Sequence, residues 1–285
     1  MSAIRYSVIV PTRDRNDLLS LCLDRLAPAV QGMPDDQVEV LVTDDSPSNA
    51  ARDLVATHYP WARWVAGPRR GPAANRNSAA AASTGAFLVF VDDDCLPEPD
   101  LLRSYASAER TDVDVYEGRI TCTEGFSSPR QTAPLNLDGG ALWSCNFAIR
   151  RAAFVAVGGF DSRFPIAHME DVDFRERLRA AGFAILFVRE ASVDHPPRRL
   201  PWGARLARLH QAGVLYMVLH PPVRGLPWYL QNTLRARVSR VRQLPKSFDS
   251  LVELASVPVE LAATAWHWRA WMSWARALAA DGRPR

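Results

Sequence analysis

Three short apolar segments, each followed by a helix-forming segment, constrain the fold of this chain more than any other feature of its sequence. They are rich in Val, Ile and Phe and cover Tyr6–Val10, Val38–Val42 and Ala86–Val91. Runs of this kind are typical of parallel strands that helices bury on both faces. The repeated order of strand and helix predicts a doubly wound α/β sheet with right-handed crossovers.

The segments between these strands carry the signals of helices. After the first strand, Asp14 or Asn16 can begin a helix that ends at Pro28. Two further helices are predicted over Asn49–Ala56 and Asn75–Ala82.

The second half of the pattern is less regular and predicts an α+β arrangement. Its predicted strands are Val115–Thr121, Ala141–Ile149 and Phe183–Val188, and its predicted helix is Asp171–Ala181. After about Pro196 the composition shifts to Arg and Trp with helical periodicity. We therefore predict a catalytic domain over residues 1–198, with a nucleotide-binding half (1–100) and an acceptor half (101–198), and a helical region over 199–285.

Composition excludes several classes of protein. With 48% apolar and 23% charged residues, the chain has the composition of a folded globular protein. Its four cysteines are far apart, without the paired spacing of a zinc site or a disulfide framework, which favours a reducing compartment. The N-terminal apolar run is too short for a signal peptide, and no stretch reaches the ~20 apolar residues of a spanning helix. We expect a cytoplasmic protein, and if it meets a membrane, we expect contact only at the membrane surface.

Polar residues follow each of the three predicted parallel strands. They are Pro11–Asp14, Asp44–Ser46 and Asp92–Asp94. In open α/β sheets the ligand crevice lies at the carboxyl ends of the strands. The sequence therefore places the candidate site at this edge of the sheet.

Three adjacent carboxylates follow the third strand, at Asp92, Asp93 and Asp94. They repel one another, and burial of one without a partner is unfavourable. A divalent cation would relieve that repulsion, and oxygen ligands suit Mg²⁺ or Mn²⁺, whose remaining positions substrate phosphates can fill. The alternative is a solvated acidic turn or helix cap before Pro97 and Pro99.

Asp44, Asp45 and Arg76 belong to the same predicted edge. A carboxylate accepts hydrogen bonds from a base or a ribose, and a guanidinium pairs with phosphate or a base edge. Singly, Asp45 is explained as well by a helix cap and Arg76 by a surface charge. Together they favour a nucleotide.

The chain contains, in this order, VIVPTRDR, VLVTDDS, GPAANRN, FLVFVDDD, GGFDSRF and MEDVDFRERL. These segments resemble the motifs of the family 2 glycosyltransferases over roughly residues 5–195. The resemblance implies a GT-A Rossmann-like doubly wound sheet with a C-terminal helical appendage. It also implies inverting transfer of a sugar from a nucleoside diphosphate sugar to an acceptor hydroxyl, assisted by Mn²⁺ or Mg²⁺. The family's processive synthases carry a QxxRW signature that this chain lacks, so a non-processive enzyme is expected.

The resemblance also implies a donor site. Pro11, Thr12 and Asp45 look like nucleoside-contacting positions, and Arg76 like the arginine for the base or a phosphate. Arg13 is assigned to the same site, although the family often has an aromatic residue there.

The catalytic and metal positions follow from the same resemblance. Asp94 is similar to the DxD residue that faces metal and diphosphate, and Asp92 or Asp93 to the one that faces ribose. Asp171 looks like the catalytic base and His195 like a metal-side histidine. We expect Asp171 to open its helix, where the helix dipole favours the ionised carboxylate and lowers its basicity.

The acceptor is expected to be a glycan, a lipid-linked molecule or a small molecule. Trp143 can stack on a sugar face and Asn146 can bond its hydroxyls, while Glu170 is a candidate ligand of the acceptor hydroxyl. The alternative for Trp143 is a buried core aromatic.

Two other functions are weighed against transfer of a sugar. A nucleotidyltransferase also places acidic residues and a metal on such a sheet, but it needs a glycine-rich loop after the first strand, and PTRDRND has no glycine. A non-catalytic nucleotide- or glycan-binding scaffold has no need for the carboxylate pair at Glu170 and Asp171.

The C-terminal segment suggests a further contact. Its tryptophans predict one face of an amphipathic helix, with Arg269 and Arg276 on the remaining side: Trp266, Trp268, Trp271 and Trp274. This pattern predicts either peripheral attachment to the inner membrane face or packing on the catalytic domain or on a second copy in a homodimer. Four further arginines scatter around a helix axis and favour a solvated face over nucleic-acid binding: Arg235, Arg237, Arg240 and Arg242.

Overall fold

A computed structural model describes residues 4–243 and 248–282 of the chain. Its strands are β1 (Tyr6–Thr12), β2 (Val38–Asp44), β3 (Ala62–Ala66), β4 (Phe87–Val91), β5 (Leu96–Pro97), β6 (Val115–Thr121), β7 (Gln131–Thr132), β8 (Asn146–Arg150), β9 (Ile185–Asp194) and β10 (Arg198–Arg199). Its helices are α1 (Asn16–Leu26), α2 (Pro28–Gln31), α3 (Ala50–His58), α4 (Pro72–Ala82), α5 (Leu101–Ala108), α6 (Arg151–Ala156), α7 (Glu170–Ala180), α8 (Ala204–Ala207), α9 (Leu209–Leu219), α10 (Leu226–Gln243) and α11 (Phe248–Ala280).

The described residues form two compact units. The first contains residues 4–123 and 134–196, and the second contains residues 124–133, 197–243 and 248–282. The segment 124–133 therefore groups with the C-terminal helices, although our predicted boundary at residue 198 assigned it to the catalytic part. The boundary at residue 198 between a catalytic domain and a helical region stays a prediction.

The first unit is built on an eight-stranded sheet with the order β3-β2-β1-β4-β8-β6-β9-β5. The four strands from β3 to β4 are parallel, and β8 runs antiparallel to both β4 and β6. The predicted doubly wound α/β sheet is confirmed. The carboxyl ends of β1, β2 and β4 lie side by side, which brings the polar segments that follow them to one edge.

Helices bury both faces of this sheet, as the continuous apolar runs predict. In β1, Val8 and Val10 pack into one core cluster, while Ile9 points into the other. The second cluster also contains a group of phenylalanines in ring contact from β4, β8 and α7, among them Phe90, Phe147 and Phe174. This packing fixes α7 against the sheet near the acidic edge.

Several strands differ from the predictions: β9 covers Ile185–Asp194 rather than Phe183–Val188, and the two-residue strands β5, β7 and β10 were not predicted. β3 was not predicted, because its half-buried sequence ARWVA lacks an apolar run. β8 begins at Asn146 rather than at Ala141, because residues 139–142 form a loop in which Gly139, Gly140 and Leu142 have positive φ. Positive φ is incompatible with a strand.

The second unit consists of the β7–β10 pair and helices α8 to α11. Within the described part of the chain, none of the helices is both long and apolar enough to cross a membrane. Inside this unit, Arg237 pairs with Glu260, and Arg240 donates to the carbonyl of Pro129. The prediction of a solvated arginine face is therefore wrong for these two residues, whose guanidinium groups bind partners inside the unit.

The predicted tryptophan face of α11 is also wrong. Trp268 and Trp271 are buried and Trp274 is half-buried, whereas Trp266 is 85% exposed. The four side chains therefore do not share one surface.

Candidate active site

The nucleoside side of the candidate site lies at the ends of β1 and β2. Pro11 pairs with Thr43 and Thr12 with Asp44 in the parallel register, and all four residues are buried. Arg13 follows them and is exposed. A cleft of about 490 Å³ opens beside these strand ends, lined by Asp14, Arg15, Asn16, Asp17, Leu18, Ser46, Ser48 and Ala50.

The buried Asp45 carboxylate is held by backbone groups of the following loop. Its oxygens accept the amide protons of Arg69 and Gly71, at 2.8 and 3.3 Å. A Cβ atom on Gly67 would lie 2.2 Å from Asp45 Oδ1, so glycine is required at that position. The loop therefore fixes Asp45 at the edge of the crevice.

The carboxylate of Asp93 is fully buried and paired. The Thr12 hydroxyl donates to Asp93 Oδ2 at 2.7 Å, and Arg15 Nη2 lies 2.6 Å from Oδ1. Burial raises the pKa of Asp93 to about 7, with Arg15 opposing the shift. Asp93 is thus committed to the protein interior, and Asp92, which is partly exposed, is the better candidate for contact with a ribose.

Arg15 also binds the next carboxylate. Its Nη1 lies 2.9 Å from Asp94 Oδ2, so one guanidinium spans Asp93 and Asp94. Sequence reasoning assigned Arg13 to the site and missed Arg15, which is two residues further along the turn.

Asp94, Cys95 and His195 form a cluster whose ligand atoms all lie within 4.8 Å of one another. His195 Nδ1 lies 2.8 Å from the carbonyl oxygen of Pro196, and Nε2 lies 3.4 Å from Asp94 Oδ1. With Nδ1 as the donor, Nε2 of the neutral ring presents its lone pair toward Asp94, as in metal-binding histidines.

This donor set fits a divalent cation. A carboxylate oxygen and an imidazole nitrogen suit Mn²⁺, and two protein ligands leave positions for phosphate oxygens. Cys95 is a soft ligand, and its Sγ lies 3.8 Å from the carbonyl oxygen of Cys145. The cysteine spacing argued against a metal role for Cys95, and the fold alone brings it to this cluster.

Arg76 joins the acidic turn to helix α7. It is buried in the first turns of α4, with Nη2 2.5 Å from Asp92 Oδ1 and Nη1 3.3 Å from Glu170 Oε1. Burial alone would lower the pKa of Arg76, but the two carboxylates raise it. The predicted contact of Arg76 with a base or a phosphate stays a prediction, and the geometry makes this arginine a bridge between two carboxylates.

Glu170 and Asp171 open α7, as predicted within one residue. Burial raises the pKa of both carboxyls, and their mutual repulsion adds to the shift of Glu170. We expected the helix dipole to lower the basicity of Asp171. That expectation is wrong in direction, because burial outweighs the dipole and makes Asp171 a stronger base.

The predicted acceptor residues occupy two different environments. Trp143 is half-buried, packs against the core and donates its indole N–H to the carbonyl of Leu135. Asn146 is fully buried, and its amide bonds to the Tyr105 hydroxyl and to two sheet carbonyls, those of Arg119 and Ala191. The amide groups of Asn146 are thus engaged inside the sheet.

Two residues that sequence reasoning missed hold the loop before Trp143. The buried Glu117 carboxylate accepts the amide protons of Gly140 and Leu142, and Arg175 Nη1 donates to the carbonyl of Gly140. Arg175 is on α7, one turn after Asp171. Glu117 lies inside the predicted strand Val115–Thr121, and a charged residue in a buried strand was the available signal.

The sheet order and the carboxylates at its edge agree with the GT-A fold of glycosyltransferases. The chain belongs to glycosyl transferase family 2, whose family model matches residues 7–158, more than half of its length.

Comparison with known proteins agrees with this class. The chain is 26% identical over 222 residues to the glycosyltransferase AglE of Haloferax volcanii. This alignment covers 73% of this chain and 71% of AglE. It spans about half the length of several other curated relatives that it matches.

Two solved structures share the fold. A mannosyltransferase, PcManGT from Pyrobaculum calidifontis in complex with GDP-Man and Mn²⁺, superposes with a TM-score of 0.52 at 20% identity, covering 99% of this chain and 80% of that one. TarS 1–349 of S. aureus in complex with UDP-GlcNAc superposes with a TM-score of 0.57 at 17% identity, covering 93% and 92%.

Proposed function

We propose that this family 2 enzyme moves a sugar from a nucleoside diphosphate sugar to an acceptor hydroxyl, with inversion at the anomeric carbon and with Mn²⁺ or Mg²⁺ bound. The observation that carries the proposal is the Arg76 bridge. One buried guanidinium contacts Asp92 of the acidic turn and Glu170 at the start of α7. Arg76 thereby holds the acidic turn on the donor side beside the start of α7, where the candidate base Asp171 lies.

The donor occupies the crevice at the strand ends in this proposal. Pro11, Thr12, Arg13 and Asp45 border the nucleoside, and Asp92 faces the ribose. Nucleotide sugars are present in two structures of the same fold, GDP-Man in one and UDP-GlcNAc in the other. The two donors differ in nucleotide and in sugar, so the donor of this chain must be identified by experiment.

Asp94 and His195 are the residues that would hold the cation. A bound divalent ion supplies charge neutralisation to a departing diphosphate. The PcManGT complex contains Mn²⁺, and the ligand types of this chain are those that such an ion accepts. Arg15 compensates the carboxylates of Asp93 and Asp94, which keeps the buried turn stable as the protein folds.

Asp171 is the proposed general base. Inversion requires in-line attack on the anomeric carbon by the acceptor oxygen, so a carboxylate on the acceptor side must take the hydroxyl proton. The raised pKa of Asp171 improves it as a base, while Arg76 opposes the shift and favours the ionised form at neutral pH. Glu170, which binds Arg76, either orients that arginine or accepts a hydrogen bond from the incoming hydroxyl.

The acceptor is proposed to be a glycan, a lipid-linked molecule or a small molecule with a free hydroxyl. Trp143 remains the aromatic candidate for a sugar face. We leave Asn146 out of the proposed acceptor site, because its amide is already bonded within the sheet. We place the reaction in a reducing compartment such as the cytoplasm, a proposal that the four free cysteines support.

A thermal-shift panel with UDP, GDP and dTDP, each with and without Mn²⁺, tests the donor part. A nucleotide at a hundred times its Kd stabilises the fold by about 2.7 kcal/mol. One nucleotide should stabilise the protein strongly only with Mn²⁺. Proton NMR of the product made from the matching sugar nucleotide should then show the inverted anomer. Retention of configuration, or stabilisation by none of the nucleotides, would contradict the proposal.

A further inference from the structure

Over about its first five turns, from Phe248 to Trp266, helix α11 of the second unit buries several polar residues and exposes several large apolar ones, whereas its last turns bury apolar residues such as Trp271 and Met272. Its buried polar residues are Ser250, Glu253, Ser256, Glu260 and Thr264. Its exposed large apolar residues are Phe248, Leu251, Leu254, Val259 and Trp266. A helix on the surface of a globular protein normally places these classes the other way round.

The two sets lie on opposite sides of the helix. At about 100° per residue, Phe248, Val259 and Trp266 fall within about 20° of one another around the axis. Glu253 and Glu260 fall roughly on the opposite side, within about 20° of one another. The outward apolar side is therefore continuous along about five turns.

The inward polar side is explained by bonds within the unit. Glu260 accepts hydrogen bonds from Arg237 and lies 2.7 Å from Nε2 of His210. The hydroxyls of Ser256 and Thr264 donate to carbonyl oxygens one turn earlier. These polar groups have hydrogen-bond partners inside the unit. The exposed apolar side chains on the outward side still need an explanation, because their contact with water is unfavourable.

Basic residues continue the outward side toward the end of the helix. Arg269 and Arg276 lie within about 20° of one another around the axis and within about 20° of Leu251, inside the angular range of the apolar side. Together with Arg224 they line a cleft of about 690 Å³, whose other walls are Val223, Gly225, Trp268, Met272 and Ser273. The cleft thus combines cationic groups with apolar walls, a combination that suits an anionic amphiphile.

The C-terminal segment also has a positive net charge, like the cleft. Residues 197–285 contain fourteen basic and four acidic side chains, whereas the rest of the chain has more acidic than basic ones. Two of the four acids, Glu253 and Glu260, are buried. In the described part of this unit, nine basic side chains but only two acidic ones are exposed, so its described surface is strongly cationic.

We propose that the outward side of α11 lies on the anionic surface of a lipid bilayer. Phe248, Leu251 and Val259 enter the acyl boundary, and Trp266 lies at the headgroup level, the position that tryptophan prefers. Arg224, Arg269 and Arg276 bind lipid phosphates, each contributing through the negative surface potential. The helix lies in the plane of the interface, and the enzyme is thereby concentrated where lipid-linked acceptors are found.

Cosedimentation of the full chain with vesicles tests this proposal. The wild type should bind vesicles of phosphatidylglycerol, should bind phosphatidylcholine far more weakly, and should be released by added salt. The double variant Arg269→Gln/Arg276→Gln should bind phosphatidylglycerol about thirty-fold more weakly. Trp266→Ser, which removes an exposed apolar side chain, should weaken binding by about tenfold.

Matched controls come from the first unit. Val155 is 66% exposed there, and Val155→Ser should leave vesicle binding unchanged, as should Arg52→Gln/Arg110→Gln, which removes two exposed arginines. Circular dichroism and the nucleotide thermal shift, measured for every variant, should match the wild type. They keep loss of folding and failure of the proposed transferase site separate from loss of membrane binding.

Three results would overturn the proposal. The first is a wild type that does not bind phosphatidylglycerol vesicles, and the second is an equal effect of the control variants. The third is a dimer in sedimentation equilibrium that Trp266→Ser dissociates and that does not bind vesicles, because a second copy of the chain would then cover the outward apolar side.

Discussion

Nε2 of His195 lies 3.4 Å from Oδ1 of Asp94, although His195 follows β9 and Asp94 follows β4, about a hundred residues earlier in the chain. The contact exists because β9 ends at the same edge as β4. Nδ1 is oriented by the carbonyl of Pro196, which leaves Nε2 directed toward the carboxylate. We infer that this pair is the protein part of the cation site.

The first prediction concerns that pair. Asp94→Asn and His195→Ala should each weaken Mn²⁺ binding by about a hundredfold, since even residues behind metal ligands are worth 10–100-fold. Cys95→Ser should stay within a few-fold of wild type, because a soft thiol adds little for Mn²⁺. Electron paramagnetic resonance titration of free Mn²⁺ measures all three. If Cys95→Ser loses the ion and His195→Ala keeps it, a softer metal at a different ligand set is indicated.

The second prediction concerns the base. Asp171→Asn keeps the volume of the side chain but cannot take a proton, so transfer should fall by roughly 10²–10⁴ while donor affinity changes little. Initial rates with saturating donor measure the loss. Glu176→Gln, five residues along the same helix, is the control and should remain active. Activity of Asp171→Asn close to wild type would move the role of the base to Glu170.

The third prediction concerns the buried bridge. Arg76→Met leaves Asp92 and Glu170 without their shared cation, and removal of one partner of a buried pair costs about 3–5 kcal/mol of unfolding free energy. Arg52→Met removes an exposed pair with Asp53, worth about 0–1 kcal/mol. Urea unfolding compares the two. Equal, small losses would show that Arg76 does not hold the two carboxylates together.

The fourth prediction concerns pH and the second unit. Burial would raise the pKa of Glu260, but its bonds with His210 and Arg237 prevail and lower it. A lowered folded pKa gives stability that is present above the ordinary glutamate value and is lost as the pH falls through the folded value. Glu260→Gln should therefore remove part of the acid sensitivity of unfolding.

Urea unfolding at pH 7 and at about pH 3 measures this difference, because the loss takes place below the ordinary glutamate value. The other groups that face Glu260 are His210, Tyr229, Arg237 and Glu253. Burial raises the pKa of Glu253, so that residue acts in the opposite direction. Glu253→Gln is the matched control, and it should not reduce the acid sensitivity. The same loss of sensitivity in both variants would contradict the assignment to Glu260.

Much of the fold could be predicted from the sequence because the strands are buried on both faces. β1, β2 and β4 appear as unbroken apolar runs, and their ends define the edge of the sheet. β3 could not be found, because its exposed residues carry no periodic signal. The start of β8 could not be placed either, because the loop before it is held by Glu117, from a distant strand.

The candidate site was predictable where local motifs carry it, and not where partners come from afar. The acidic turn and the start of α7 were found within a residue. Arg15 and Cys95 were missed, since their contacts depend on which strands are neighbours. The basicity of Asp171 was misjudged because the sequence shows the helix dipole and does not show the burial that outweighs it.

Calorimetric titration of the nucleotide identified by the thermal-shift panel, in Mn²⁺ and in EDTA, tests the central claim most directly. The claim is that the edge of the sheet binds a nucleoside diphosphate together with a cation held by Asp94. We predict that the wild type and Asp171→Asn bind tightly in Mn²⁺ and weakly in EDTA, and that Asp94→Asn binds weakly in both. Equal affinity of all three proteins under both conditions would contradict the account.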